Sequence, residues 1–209
     1  MTRPATRLNV RRITVPDAWE AAHVLAASHL DYPAFEYAFP ASRQRERVVR
    51  HLMSAAARDV ERRGVGYLAR THGLAAGAAL WFPPGVLARG GWDAVQLAAS
   101  MLPVALASRA RFPAFARAGS ALEESARDEE GWYLQSLGVT PRLQRRGIGA
   151  RLLAPTLEAA DSRGLTCGLH TSDTANIPFF QRFGFEVIEP LHPVVPGGPA
   201  YLRMRRQPQ

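Results

Sequence analysis

The 209-residue sequence contains no lysine, so all 26 of its basic side chains are arginine. That excludes the lysine of a Walker-type phosphate loop. Cysteine occurs once, at Cys167, which excludes an internal disulfide and any zinc site built on paired cysteines. No apolar run is long enough to span a bilayer: the longest, from Ala94 to Ala107, is interrupted by Gln96, Ser100 and Pro103. The opening stretch MTRPATRLNV lacks the apolar core of a secretory signal, and cytoplasmic residence is expected. There is no repeat and no low-complexity tract. What remains is ordinary globular material, with 47% hydrophobic and 21% charged residues. The formal net charge of +8 fits an anionic ligand such as a phosphate-bearing cofactor. The arginines are scattered, without a basic block or helical stripe, so neither nucleic acid nor a membrane is expected as partner.

The periodicity predicts a strand over 7–15 and a helix opening at Pro16-Asp17 and running to about His29. Residues 31–40, DYPAFEYAFP, read as an irregular loop punctuated by two prolines. A helix over 43–63 ends at Gly64, and strands follow at 65–70 and 74–82. Residues 86–128 read as a largely helical, proline-broken insert in a single domain spanning 1–209. A strand over 131–139, a helix over about 147–163 and a strand over 165–171 form a parallel βαβ unit. A short helix (176–182) and strands at 183–189 and 200–205 close the chain. The expected class is α/β, with a mixed sheet and a central parallel βαβ unit flanked by helices.

The chemistry is concentrated where that central strand turns into its helix. Gln144, Arg145, Arg146, Gly147, Ile148, Gly149 and Ala150 form the run QRRGIGA. Uncapped N–H groups at a helix start, with their partial positive charge, suit a pyrophosphate, and glycines let its oxygens reach the backbone. A dinucleotide fingerprint fits poorly, because its third glycine would fall at Leu152. The run resembles the Q/R-x-x-G-x-G/A loop of the GNAT acetyltransferases. LQSLGVTPRLQRRGIGARLL and TSDTANIPFFQRFGFEV together look like the second half of a GNAT domain. Within that superfamily the chain is most similar to the puromycin N-acetyltransferase-like group, through DYP after the first helix, the LGV and QRRGIG runs, and Gly198-Pro199 before the last strand.

The resemblance implies a GNAT-type, mostly antiparallel sheet. It implies an N-acetyltransferase that moves an acetyl group from acetyl-CoA directly to a primary amine of a small molecule, an antibiotic or other xenobiotic among the candidates, without a metal. Leu137, Gly138 and Val139 would pair with the pantetheine arm, and a main-chain N–H near Val139 would polarise the thioester. Residues 144–150 would hold the pyrophosphate; Asn176 and Phe179 would lie beside the arm. A non-catalytic acyl-CoA-binding module and a protein N-acetyltransferase are the alternatives. Phe180 stands where such proteins often carry the tyrosine that protonates the departing thiolate, which favours the first alternative.

For proton transfer the candidates are His170, expected at the carboxyl end of its strand, and Tyr133 on the central strand; Gln135 is expected on the same side as Tyr133, and Gln135 or Ser136 is a candidate to line the acyl pocket. Asp31, Tyr32, Glu36 and Tyr37 are candidates for the acceptor pocket, whereas His23, His29 and His51 read as surface helix residues. Cys167 reads as buried and inert. Trp92, Met101, Phe112 and Phe115 of the insert suit core packing, a dimer face or a substrate lid equally, and a homodimer is compatible with them.

Overall fold

The computed structural model describes residues 8–87, 91–108, 112–127, 130–191 and 197–209. Among the described residues seven strands form one sheet: β1 (Asn9–Arg12), β2 (Val65–Thr71), β3 (Leu74–Phe82), β4 (Trp132–Val139), β5 (Cys167–Thr171), β6 (Phe185–Leu191) and β7 (Tyr201–Arg206). Their spatial order is β1-β2-β3-β4-β5-β7-β6. Every adjacent pair is antiparallel except β4 and β5, so the expected mixed sheet with one parallel βαβ crossover is present. The helices are α1 (Ala18–Ser28), α2 (Pro33–Ala38), α3 (Ser42–Arg63), α4 (Gly91–Ser108), α5 (Phe112–Arg127), α6 (Ile148–Asp161) and α7 (Ile177–Gln181).

Apolar residues cover both faces of the sheet. On one face, Leu25 of α1 and Val49 and Val60 of α3 pack with Leu68, Leu80, Phe82 and Tyr133. On the other, Leu152, Leu153 and Leu157 of α6 and Phe180 of α7 pack with Trp81, Trp132, Leu134 and Leu169. Ala126 of α5 joins the first core, and Phe115 lies 5.3 Å from Phe39, ring centre to ring centre. Phe39 and Val104 belong to a smaller core among α2, α3 and α4, so part of the insert packs as core. The side chain of Trp92 lies outside the described residues.

Several expectations are corrected. The first strand stops at Arg12, because Thr14 donates to the Asp17 carboxylate from both N–H and hydroxyl and draws residues 15–17 into a 3-10 turn. Residues 33–38 are a helix rather than loop: Pro33 stands at its start, where its fixed φ is preorganised and its missing N–H costs nothing. Tyr133 and Gln135 do not share a face. The β3–β4 register skips a residue, pairing Leu80 with Ser136 but Trp81 with Leu134. Gln135 is the extra residue of this bulge and is exposed, while Ser136 continues the face of Tyr133.

Candidate functional site

β4 and β5 pair only from Trp132 to Leu134 against Cys167 to Leu169. Beyond those pairs β4 continues to Val139 and β5 to Thr171 without meeting, which leaves a split between the two central strands. Leu137 and Val139 pack toward the α6 face at one side of it. Gly138 lies against α1 so closely that a Cβ there would be 2.0 Å from the Ser28 hydroxyl. At this point only glycine lets the helix approach the strand.

The chain leaves β4 through a 3-10 turn at Pro141–Leu143, and the Gln144 amide donates to the Val139 carbonyl at 3.2 Å. Arg145 and Gly147 both adopt left-handed backbone, at φ 59° and 78°. Left-handed residues thus stand on either side of Arg146, directly before the helix start. Gly147 is the N-cap of the 14-residue α6, and no side chain caps that end. Arg145 and Arg146 are exposed at the rim. Ile148 is buried in the core and anchors the turn, whereas Ala150 is half-buried. A Cβ on Gly149 would lie 3.1 Å from the Phe179 ring, so this position has little room on its α7 side. Asn176 ends the 3-10 turn before α7 and donates to Asp173 at 3.4 Å.

The opposite side of the split carries hydroxyls and imidazoles. The Tyr133 hydroxyl lies 3.0 Å from Nδ1 of His170, the first residue of β5 past its last pair with β4. Nε2 of His170 lies 3.1 Å from the Ser125 hydroxyl of α5. One ring nitrogen carries a proton and the other a lone pair, and a hydroxyl serves either, so both are satisfied in both tautomers. Burial, reinforced by the neighbouring Arg203 guanidinium across the β5–β7 register, lowers the His170 pKa to about 4. At neutral pH this imidazole is uncharged and only weakly basic.

His29 is not a surface residue. Nδ1 donates to the Leu25 carbonyl at 2.8 Å, which fixes the tautomer and leaves the lone pair on Nε2, 3.4 Å from the Ser136 hydroxyl. Burial holds its pKa below the usual histidine range, partly offset by the bond to Leu25. His51 is also engaged, 2.5 Å from the Ser100 carbonyl. His23 is exposed and stacks on Trp19. Cys167 is buried at the start of β5.

Among the acceptor-side candidates, Tyr32 reaches this cluster: its hydroxyl accepts from the Ser172 N–H at 2.6 Å and donates to Thr171 Oγ1 at 3.2 Å. Asp31 and Glu36 instead face Arg45 of α3, at 3.8 and 3.6 Å, and Tyr37 is exposed on α2. Phe180 is core, edge-on to Phe179 and Phe185. Ser125 and Arg203 were not singled out by sequence reasoning; they arrive from distant elements and carry no local motif. Among the described residues no three His, Cys, Asp or Glu side chains gather as a metal site, and no helix is long and apolar enough to cross a membrane.

Residues 109–185 match the family model described as the acetyltransferase (GNAT) family. An uncharacterised N-acetyltransferase of Schizosaccharomyces pombe is 36% identical over 59 residues, which are 28% of this chain and 24% of that protein. The match thus spans about a quarter of the length of that relative. A crystal structure of the histone acetyltransferase and related acetyltransferase from Corynebacterium glutamicum superposes with a TM-score of 0.66 at 20% identity, covering 97% of both chains. The polyamine N-acetyltransferase of Drosophila melanogaster gives 0.60 at 15% identity, over 96% of this chain and 100% of that one. The paia N-acetyltransferase of Thermoplasma acidophilum, solved with coenzyme A, gives 0.56 at 12% identity, over 96% of this chain and 99% of that one. The chain has the GNAT fold, and residues 109–185 carry the pattern of the GNAT family model.

Proposed function

We propose that this chain is a single-domain, acetyl-CoA-dependent N-acetyltransferase that acetylates a primary amine of a small molecule by direct transfer, nearest to the puromycin N-acetyltransferase-like group. An antibiotic or other xenobiotic amine is the acceptor class we favour. The observation that carries the reading is the split beyond Leu134 and Leu169. It has an uncapped, glycine-led helix start at one end and the Tyr133–His170–Ser125 cluster on the acceptor side.

The residues present fit the donor. The turn from Arg145 to Gly147 and the first N–H groups of α6 would take its pyrophosphate, with the two arginines adding charge at the rim. Leu137, Gly138 and Val139 offer a strand edge that β5 leaves unpaired, and Asn176 and Phe179 would lie beside the arm. Acetyl-CoA supplies an activated acyl group with a good leaving thiolate. The remaining work belongs to the chain's own groups. Tyr133 and His170 are the catalytic pair. With its lowered basicity, His170 is better suited to holding a hydroxyl than to taking a proton from an ammonium, so the acceptor amine arrives neutral and sheds its proton to water. The Tyr133 hydroxyl, held by His170, protonates the departing thiolate in place of the tyrosine that Phe180 replaces, and regains a proton from the water that took the amine's. No metal, nucleic acid or membrane takes part, and the protein works in the cytoplasm, as a monomer or homodimer.

A panel of primary amines scored for CoA release with acetyl-CoA tests the reading; turnover that Tyr133→Phe abolishes supports it. The second reading, a donor-binding module without turnover, is favoured by the buried Phe180. It expects saturable donor binding and no CoA release with any amine.

A further inference from the structure

We infer that Tyr32 is a positioning residue for the donor site: its hydroxyl pins the loop that leads from β5 to Asn176, so the acceptor-side turn before α2 and the donor-side loop move as one unit. The inference rests on the donor site proposed above.

The links are continuous. Tyr32 stands at the N-cap of α2 in extended backbone, with Pro33 fixing the helix start behind it. Its ring lies between His29 and Phe35, at centroid distances of 5.6 and 6.0 Å, which leaves the phenol little freedom to swing. The hydroxyl accepts the Ser172 N–H at 2.6 Å and gives its own proton to Thr171 Oγ1 at 3.2 Å. Thr171 Oγ1 in turn donates to the Asp173 carbonyl and accepts from the Asp173 N–H, both at 3.2 Å. The Asp173 carboxylate accepts from Ala175 N at 3.0 Å and from the Asn176 amide at 3.4 Å. One phenol thus organises the backbone from the end of β5 to the residue proposed to face the pantetheine arm.

The loop that Tyr32 holds therefore carries a placed amide, Asn176. Tyr201 lies close on β7; burial, with Tyr32 adding to it, raises its pKa and keeps it protonated, so no charge competes for the Tyr32 hydroxyl.

The test uses Tyr32→Phe, which keeps the ring and removes only the oxygen. Acetyl-CoA is titrated into wild type and variant by calorimetry, and the Ser172 amide is followed by NMR. The expected result is a donor Kd weakened about fivefold to tenfold, the worth of one hydrogen bond to an ordered loop. The Ser172 amide proton is expected to move upfield and exchange faster, with the urea midpoint of the whole protein lowered by no more than the loss of this hydrogen bond. Normal wild-type binding with an unchanged Kd in the variant overturns the inference alone. An unmoved Ser172 resonance overturns it too. A folded wild type that does not bind acetyl-CoA overturns the proposed function, and this inference with it.

Discussion

Acidification should destabilise this protein in part through His170. His170 has its pKa lowered to about 4 by burial and by the facing Arg203, against an ordinary value of 6.5. Between those two values the unfolded chain holds a proton that the folded chain excludes. Stability contributed by the neutral imidazole is therefore complete above about pH 6.5 and is lost as the pH falls toward 4. At about 1.4 kcal/mol per unit, a shift of about 2.5 units amounts to at most about 3 kcal/mol. Protons approaching the ring also meet the Tyr133 and Ser125 hydroxyls, which are neutral and do not offset the Arg203 charge. Urea unfolding read by Trp fluorescence, with Trp81 and Trp132 as buried reporters, measures the effect at pH 7.5, 6, 5 and 4.5. Burial lowers the His29 pKa as well, so the quantity to compare is the difference between wild type and His170→Gln. That difference should shrink by about 2–3 kcal/mol on going from pH 7.5 to 4.5. A difference that stays constant with pH would refute the reasoning, because it would mean that His170 charges as easily in the folded protein as in the unfolded one.

Other substitutions probe the packing and the chemistry. Gly138→Val would drive a side chain into Ser28 and Leu25 and should cost about 1–3 kcal/mol, visible as a lower urea midpoint. Ser125→Ala removes one of the two hydroxyl partners of His170; turnover should fall about fivefold while the acetyl-CoA Kd holds, and Ser125→Thr should recover it.

The features legible in the sequence are those written locally. The βαβ unit from β4 to β5 announces itself through an apolar strand, a glycine-led helix start and a second strand. Gly147 and Gly149 sit where the run QRRGIGA places them, at the turn and first residues of α6. The helix at 33–38 was misread because two prolines look like breaks, although Pro33 opens the helix and Pro40 follows its end. His29 looked like a surface residue because it ends an amphipathic helix. Its burial depends on Gly138 letting α1 press onto β4, a contact between residues more than a hundred positions apart. Gln135 was assigned to the face of Tyr133 by strict alternation, and a single bulge residue reversed it. The pairing of Ser125 with His170 joins an insert helix to a strand 45 residues away, and no periodicity encodes such a meeting.

The central claim is that the turn into α6 and the split beside β4 form an acyl-CoA site. Titrating acetyl-CoA by calorimetry into the wild type and into Gly149→Leu tests it most directly. The substituted side chain would crowd Phe179 and block the helix start. Saturable binding by the wild type that a folded Gly149→Leu loses is the expected result. A well-folded wild type that does not bind acetyl-CoA, or a variant that binds as tightly, would contradict the account.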